Sequence, residues 1–218
     1  MERTSGIRRL LSSAAVYSFS QRAIGAESAR RWLLDQLPPL DAIRTFVDIG
    51  CGPADMLRHL PPSVAYVGVD HSEAYVRQAT AAFADRPRTT FITASSDALA
   101  DDPRLRGADV VLFHGVLHHL NDDEALASLT VARQALSASG VVVALEPCYL
   151  LHQSRSARWL MQRDRGANIR TDDEWRRLMA TVFSDSRTRV VTNLIRIPYV
   201  HVLLEGFQHA DRGGGPQP

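Results

Sequence analysis

Short apolar runs alternate along the chain with longer stretches in which apolar residues recur at helical spacing. "RTFVDIG" (44–50), "VAYVGVD" (64–70), "TTFITA" (89–94), "ADVVLFHG" (108–115) and "GVVVALEP" (140–147) read as five buried strands. Between them, "PADMLRHL" (53–60), "HSEAYVRQATAAFAD" (71–85) and "NDDEALASLTVARQALS" (121–137) read as helices. Pro53 suits a first helical position, Ser72 an N-cap, and Asn121-x-x-Glu124 nearly matches a capping box. Near-continuous apolar strands joined by helices predict an α/β fold, a mostly parallel sheet with helices on both faces.

The two ends depart from this rhythm. A helix over 171–183 opens with the capping box Thr171-x-x-Glu174. Two apolar runs, 186–197 and 198–206, then follow with hardly a gap. No crossover helix fits between them, so they predict a hairpin and one late antiparallel strand. Residues 7–37 read as two helices, with Ala29, Trp32, Leu33 and Leu37 roughly on one face, stopped by Pro38-Pro39. The expected organisation is an N-terminal helical cap (1–40), one main domain (41–206) and a Gly/Pro-rich tail (207–218) expected to be disordered.

The 218 residues suit one α/β domain with a substantial core. Twenty-five basic and 24 acidic residues give a formal charge of +1, which argues against a dedicated nucleic-acid or membrane binder. Every basic residue is Arg, so no Lys is available as a base or Schiff-base former. We read this as the codon bias of a GC-rich bacterium. Two cysteines, Cys51 and Cys148, make no disulfide framework, so a reduced cytoplasm is the expectation. No apolar run approaches the ~20 residues of a membrane span, and no convincing signal peptide is present. Either a monomer or a homodimer is compatible with the sequence.

The chemistry concentrates in "FVDIGCGPADML" (46–57). In a parallel sheet, ligands bind beyond the carboxyl ends of the strands, where strand order reverses. Gly50 and Gly52 fall there, and their backbone freedom predicts a tight turn with room for a ligand. Pro53 is expected to open a helix whose unpaired N–H groups face the same place. Asp70 ends the second strand, where a carboxylate accepts ribose hydroxyls. The third position of a dinucleotide fingerprint is Asp55, a poor neighbour for pyrophosphate. Asp48 instead suits a ligand that carries a cation beside its ribose, as S-adenosylmethionine does.

These motifs together resemble the class I S-adenosylmethionine-dependent methyltransferases over about residues 40–205. "VDIGCGPAD" is similar to that family's first motif, "VGVD" to its second, "TASSDAL" to the loop after its third strand, and "ADVVLFHGVLHHL" to its fourth. A late antiparallel strand is also usual in the family. Ala54 departs from it, standing where a third Gly is common. The resemblance implies a Rossmann-like methyltransferase sheet and S-adenosylmethionine as cofactor. It implies a cofactor site drawn from Asp48, Gly50, Cys51, Gly52, Asp70, His71, Asp97, Ala98 and His114, with Asp97 meeting the adenine amino group. The N-terminal helices are expected to close over this site through Tyr17 and Gln21.

Methyl transfer needs a positioned nucleophile and sometimes a base. His118 and His119, on the turn after the fourth strand, are the catalytic candidates, and His is the usual base near neutral pH. The same pair also occurs as plain scaffold. His114 and His118 have metal-ligand spacing, but no third ligand is evident, so no metal is expected. Segment 148–171 is expected to wall the acceptor pocket. Its Arg155, Arg158, Arg163, Arg165 and Arg170, with Trp159, read either as a lid for an anionic or aromatic acceptor or as a solvated Arg-rich helix. Tyr199 and His201 read as packing. Cys51 reads as a small backbone contact, with no base beside it. A small-molecule acceptor fits a chain without a basic stripe. The rival classes are a nicotinamide-dependent oxidoreductase and a non-catalytic nucleoside-binding protein of the same fold.

Overall fold

The structure is a computed structural model that describes residues 26–100, 102–163 and 166–208. Tyr17, Gln21 and Arg165, and most of the expected N-terminal cap and tail, lie outside the described residues. The first described element is α1 (Ala26–Leu34). Strands β1 (Thr45–Ile49), β2 (Ala65–Asp70), β3 (Thr89–Thr93), β4 (Ala108–His114) and β5 (Leu136–Tyr149) follow the predicted order. Helices α2 (Glu73–Ala82) and α3 (Asp122–Ala135) lie where the periodicity puts them. Ser72 caps α2, and both halves of the Asn121/Glu124 box are formed. The wall segment contains α4 (Arg155–Met161) and the two-residue strand β6 (Arg170–Thr171), neither of which the pattern separates. Then come α5 (Asp172–Val182), with its Thr171/Glu174 capping box formed, β7 (Ser186–Thr192) and β8 (Val200–Phe207).

The sheet order is β3-β2-β1-β4-β5-β8-β7, with β6 pairing on β5. β1 to β5 are mutually parallel where they pair, and β8 runs antiparallel to both β5 and β7. The expected hairpin is therefore present, and its second strand carries the reversal. Because β1 lies between β2 and β4, the order switches direction beside β1, as a ligand site at its carboxyl end requires.

Alternation along the strands divides the core into two layers. Val47, Ile49, Val111, Phe113, Val142 and Ala144 pack on one face with Leu129 of α3 and Trp175 of α5. Phe46, Tyr66, Val110, Leu112, Val143 and Leu145 pack on the other with Leu33 of α1 and Ala79 of α2. Asp48 and His114 follow the second set by parity, and Glu146 follows the first.

The stretch after β1 corrects one expectation. It is no α-helix but a 3₁₀ helix, Asp55–His59, entered through Ala54 in the left-handed region (φ 59°, ψ 40°). Positive φ at Gly50, Gly52 and Ala54 keeps the chain from settling into α geometry, and Pro61-Pro62 stops it soon afterwards. A helical N-terminus aimed at the site is thus absent here. No described helix is long and apolar enough to cross a membrane.

Candidate active site

The loop after β1 is tied to β2. Gly50 and Cys51 N–H both donate to Val69 O, at 2.7 and 2.9 Å. The two glycines then serve different ends. A Cβ on Gly50 (φ 76°) would stand 2.3 Å from Val116 Cγ2, so the absence of a side chain here makes room for Val116. Among the described residues, a Cβ on Gly52 (φ 54°) would meet no atom within 4 Å, so they leave space beside it. Cys51 is buried, and its Sγ would crowd any Cβ on Gly68 at 3.0 Å. Burial, with the charges of Asp48 and Asp70, pushes its thiol up, so Cys51 packs and does not attack.

Asp70 is buried at the end of β2, and its two oxygens each accept one backbone N–H: Oδ2 from Gly52 and Oδ1 from Ser72, both at 2.8 Å. The carboxylate thereby joins the glycine loop to the start of α2. Each oxygen keeps further acceptor capacity. His71 lies 3.6 Å from Oδ1 and is 86% exposed.

Asp48 is buried and accepts the Tyr66 hydroxyl at 2.6 Å. Burial raises its carboxyl to about 7; the Tyr66 bond and the Arg30 charge oppose this, and Asp70 adds to it. The site therefore holds an acid poised to gain charge beside a cation. At the end of β4, His114 is partly buried, and burial, together with the Arg30 charge, lowers its imidazole to about 4. Arg30 itself comes from α1 and donates to Asp55 at 3.2 Å. Asp55, the residue that spoils a dinucleotide fingerprint, is thus held by α1. Asp97 and Ala98 sit on a 3₁₀ helix, Ser96–Leu99, that follows β3, and Ala98 is exposed.

The other half of the site is a turn, Leu117–His119, after β4. Glu146, fully buried on β5, accepts from Val116 N and Leu117 N at 2.9 Å, from His118 N at 3.3 Å and meets His118 Nδ1 at 2.7 Å. Burial pushes Glu146 up, but His118 and these N–H groups outweigh it and hold the carboxyl below its ordinary value. An ionised Glu146 requires the proton of a neutral His118 to sit on Nδ1, which leaves the basic lone pair on Nε2. His119 is exposed, its ring 4.1 Å from that of His118.

Arg170 closes the turn from below. It is buried, donates to the carbonyls of Leu117, Leu120 and Asn168 and to Asp122, and covers the Trp175 ring at 4.8 Å. Of the other wall arginines, Arg158 lies over Tyr149 at 5.7 Å and Arg163 over Trp159 at 3.6 Å. Those contacts occupy both guanidinium faces with the chain's own aromatics. Tyr199 and His201 face each other with ring centroids 5.2 Å apart. Among the described residues, no group of three or more His, Cys, Asp and Glu side chains is arranged for a metal ion.

Sequence reasoning missed Glu146, Tyr66 and Arg30, and it read Arg170 as part of a lid or a solvated helix where the structure buries it under the His118 turn. Glu146 did leave a signal: one acid in an otherwise apolar strand needs a partner. The others left none, since an Arg on a helix or a Tyr on a strand is ordinary.

A family model described as "Methyltransferase domain" matches residues 47–142, from β1 into β5. No curated protein matches the sequence. Solved structures match with low identity. The mitomycin 7-O-methyltransferase MmcR is 18% identical at TM-score 0.67, over 94% of this chain and 61% of its own. The pyocyanin biosynthetic protein PhzM is 17% identical at TM-score 0.70, over 91% and 60%. A methyltransferase in complex with the Haloferax volcanii Trm112 methyltransferase activator is 18% identical at TM-score 0.72, over 94% and 98%. The chain thus spans about three fifths of the length of the first two. By the domain match and the shared fold, this chain is similar to S-adenosylmethionine-dependent methyltransferases. The residues fit S-adenosylmethionine as cofactor: a cradle beside Gly52 that a Cβ would fill, a ribose-type carboxylate at Asp70, and a poised acid at Asp48 for a positive centre.

Proposed function

We propose that this chain moves the methyl group of S-adenosylmethionine to an O, N or C atom of a small molecule, in the manner of specialised-metabolite tailoring. The observation that carries the reading is the pairing of Gly52 with Asp70 at the switch point: open backbone and a buried carboxylate, bonded to each other at 2.8 Å. Two structural neighbours, a mitomycin 7-O-methyltransferase and a pyocyanin biosynthetic protein, support a small-molecule acceptor.

When bound, the cofactor supplies an electrophilic methyl group on its sulfonium. Asp70 receives the ribose hydroxyls on oxygens already oriented by Gly52 and Ser72 N–H. Asp48 ionises beside the positive end. Gly52 admits the ligand to van der Waals distance of the backbone. His118 and His119 are the candidates for the base, and Glu146 orients the His118 ring through Nδ1.

Calorimetric titration with S-adenosylmethionine and with NAD tests the cofactor. Binding of the first alone is expected, and binding of NAD alone overturns the reading in favour of an oxidoreductase. Release of S-adenosylhomocysteine over a panel of phenolic, amine and enol acceptors tests the reaction. Tight cofactor binding without release on any acceptor favours the non-catalytic alternative.

A further inference from the structure

Asp48 and Asp70 supply negative charge to the site, yet the amino-acid end of the cofactor carries both an ammonium and a carboxylate. The group that could answer the carboxylate comes from α1. Arg30 is only 14% exposed, low for an Arg, and its guanidinium is turned toward the glycine loop. Nη2 donates to Asp55 Oδ2 at 3.2 Å and Nη1 to Glu27 Oε2 at 3.4 Å. Both contacts are single and longer than the ~2.7–2.9 Å of a tight charge-assisted bond.

Neither acid depends on Arg30. Glu27 also accepts Arg31 Nε at 3.0 Å and lies 3.5 Å from His59, while Asp55 lies 3.6 Å from Arg58. A guanidinium has five N–H donors, and these two contacts leave most of that fork unused. The charge of Arg30 reaches the ends of both β1 and β4, since it acts on Asp48 and on His114. Through Asp55 the guanidinium also sits against the stretch that directly follows the glycine loop.

We propose that Arg30 is a cofactor-binding residue, receiving the carboxylate of the methionyl portion of S-adenosylmethionine while Asp48 faces its ammonium. This rests on the cofactor reading above. It also makes α1 part of the socket: ligand binding and the seating of α1 on the glycine loop become one event.

The test compares two ligands that differ only in the carboxylate, S-adenosylmethionine and its decarboxylated form, by calorimetry on wild type, Arg30→Met and Asp55→Asn. Arg30→Met is expected to weaken S-adenosylmethionine tenfold or more and to change the decarboxylated ligand less than twofold. Asp55→Asn, which removes only the latch, is expected to hold S-adenosylmethionine within about twofold of wild type. Equal losses for both ligands in Arg30→Met, or a tenfold loss in Asp55→Asn, would overturn the proposal and leave Arg30 as a structural tie. Should Arg30→Met fail to melt cooperatively, Arg30→Gln serves in its place, and the Asp55→Asn arm still decides. Failure of wild type to bind either ligand sinks the cofactor reading itself, a result distinct from the other two.

Discussion

Asp70 and Glu146 are both buried carboxylates at or near the carboxyl ends of strands, and both accept backbone N–H groups, yet their surroundings differ. Asp70 accepts one N–H on each oxygen, from a loop whose Gly52 borders space that the described residues leave. Glu146 takes three backbone N–H groups and the His118 ring, and it is fully enclosed. The first is a socket with acceptor capacity left over. The second is a clamp that spends its capacity inside the protein and so fixes the turn bearing the candidate base. The difference teaches that ligand affinity and catalytic geometry rest on opposite designs here, one unsaturated and one saturated.

The contrast can be broken from either side. Glu146→Ala should have the largest effect, destabilising the fold by about 3–5 kcal/mol in urea unfolding, because several buried donors lose this acceptor. A loss below about 1 kcal/mol would mean that the clamp is dispensable. Because its folded carboxyl is held low, the wild-type contribution is present above pH 4.5 and is lost as pH falls through the folded value.

Asp48→Asn should act in the opposite direction. The folded carboxyl is raised from 3.8 to about 7, so the folded chain keeps a proton that the unfolded chain releases. The stability due to Asp48 is full below pH 4 and falls as pH rises to about 7. At pH 8 the Asn variant should be more stable than wild type by up to about 4 kcal/mol, with a flatter pH profile, and should bind the cofactor more weakly. Equal pH profiles would show that Asp48 is not strained in the fold.

The two glycines sharpen the comparison. Gly50→Ala places a Cβ against Val116 in a left-handed backbone and should cost about 2 kcal/mol of stability. Gly52→Ala meets no atom of the described residues within 4 Å and should cost about 1 kcal/mol, yet it should weaken S-adenosylmethionine binding about tenfold. If both variants lose binding strictly in proportion to stability, Gly52 does not border the cofactor.

The sequence by itself determined the succession of strands and helices along the chain, both capping boxes and the late antiparallel return, and it marked the candidate socket residues. Those signals are local: apolar periodicity, a cap and its partner three residues on, and Asp48, Gly50, Gly52 and Asp70 clustered at two adjacent strand ends. The tertiary structure alone decided the rest. Nothing local says that Val116 would fill the space over Gly50, that the expected helix at 53–60 would be a short 3₁₀ turn, or that Arg30 would lean over the loop. Glu146 and Arg170 reach the His118 turn across 28 and 53 positions of chain. Such pairings follow from which strands become neighbours and how closely helices seat on them, and a linear pattern carries no record of either.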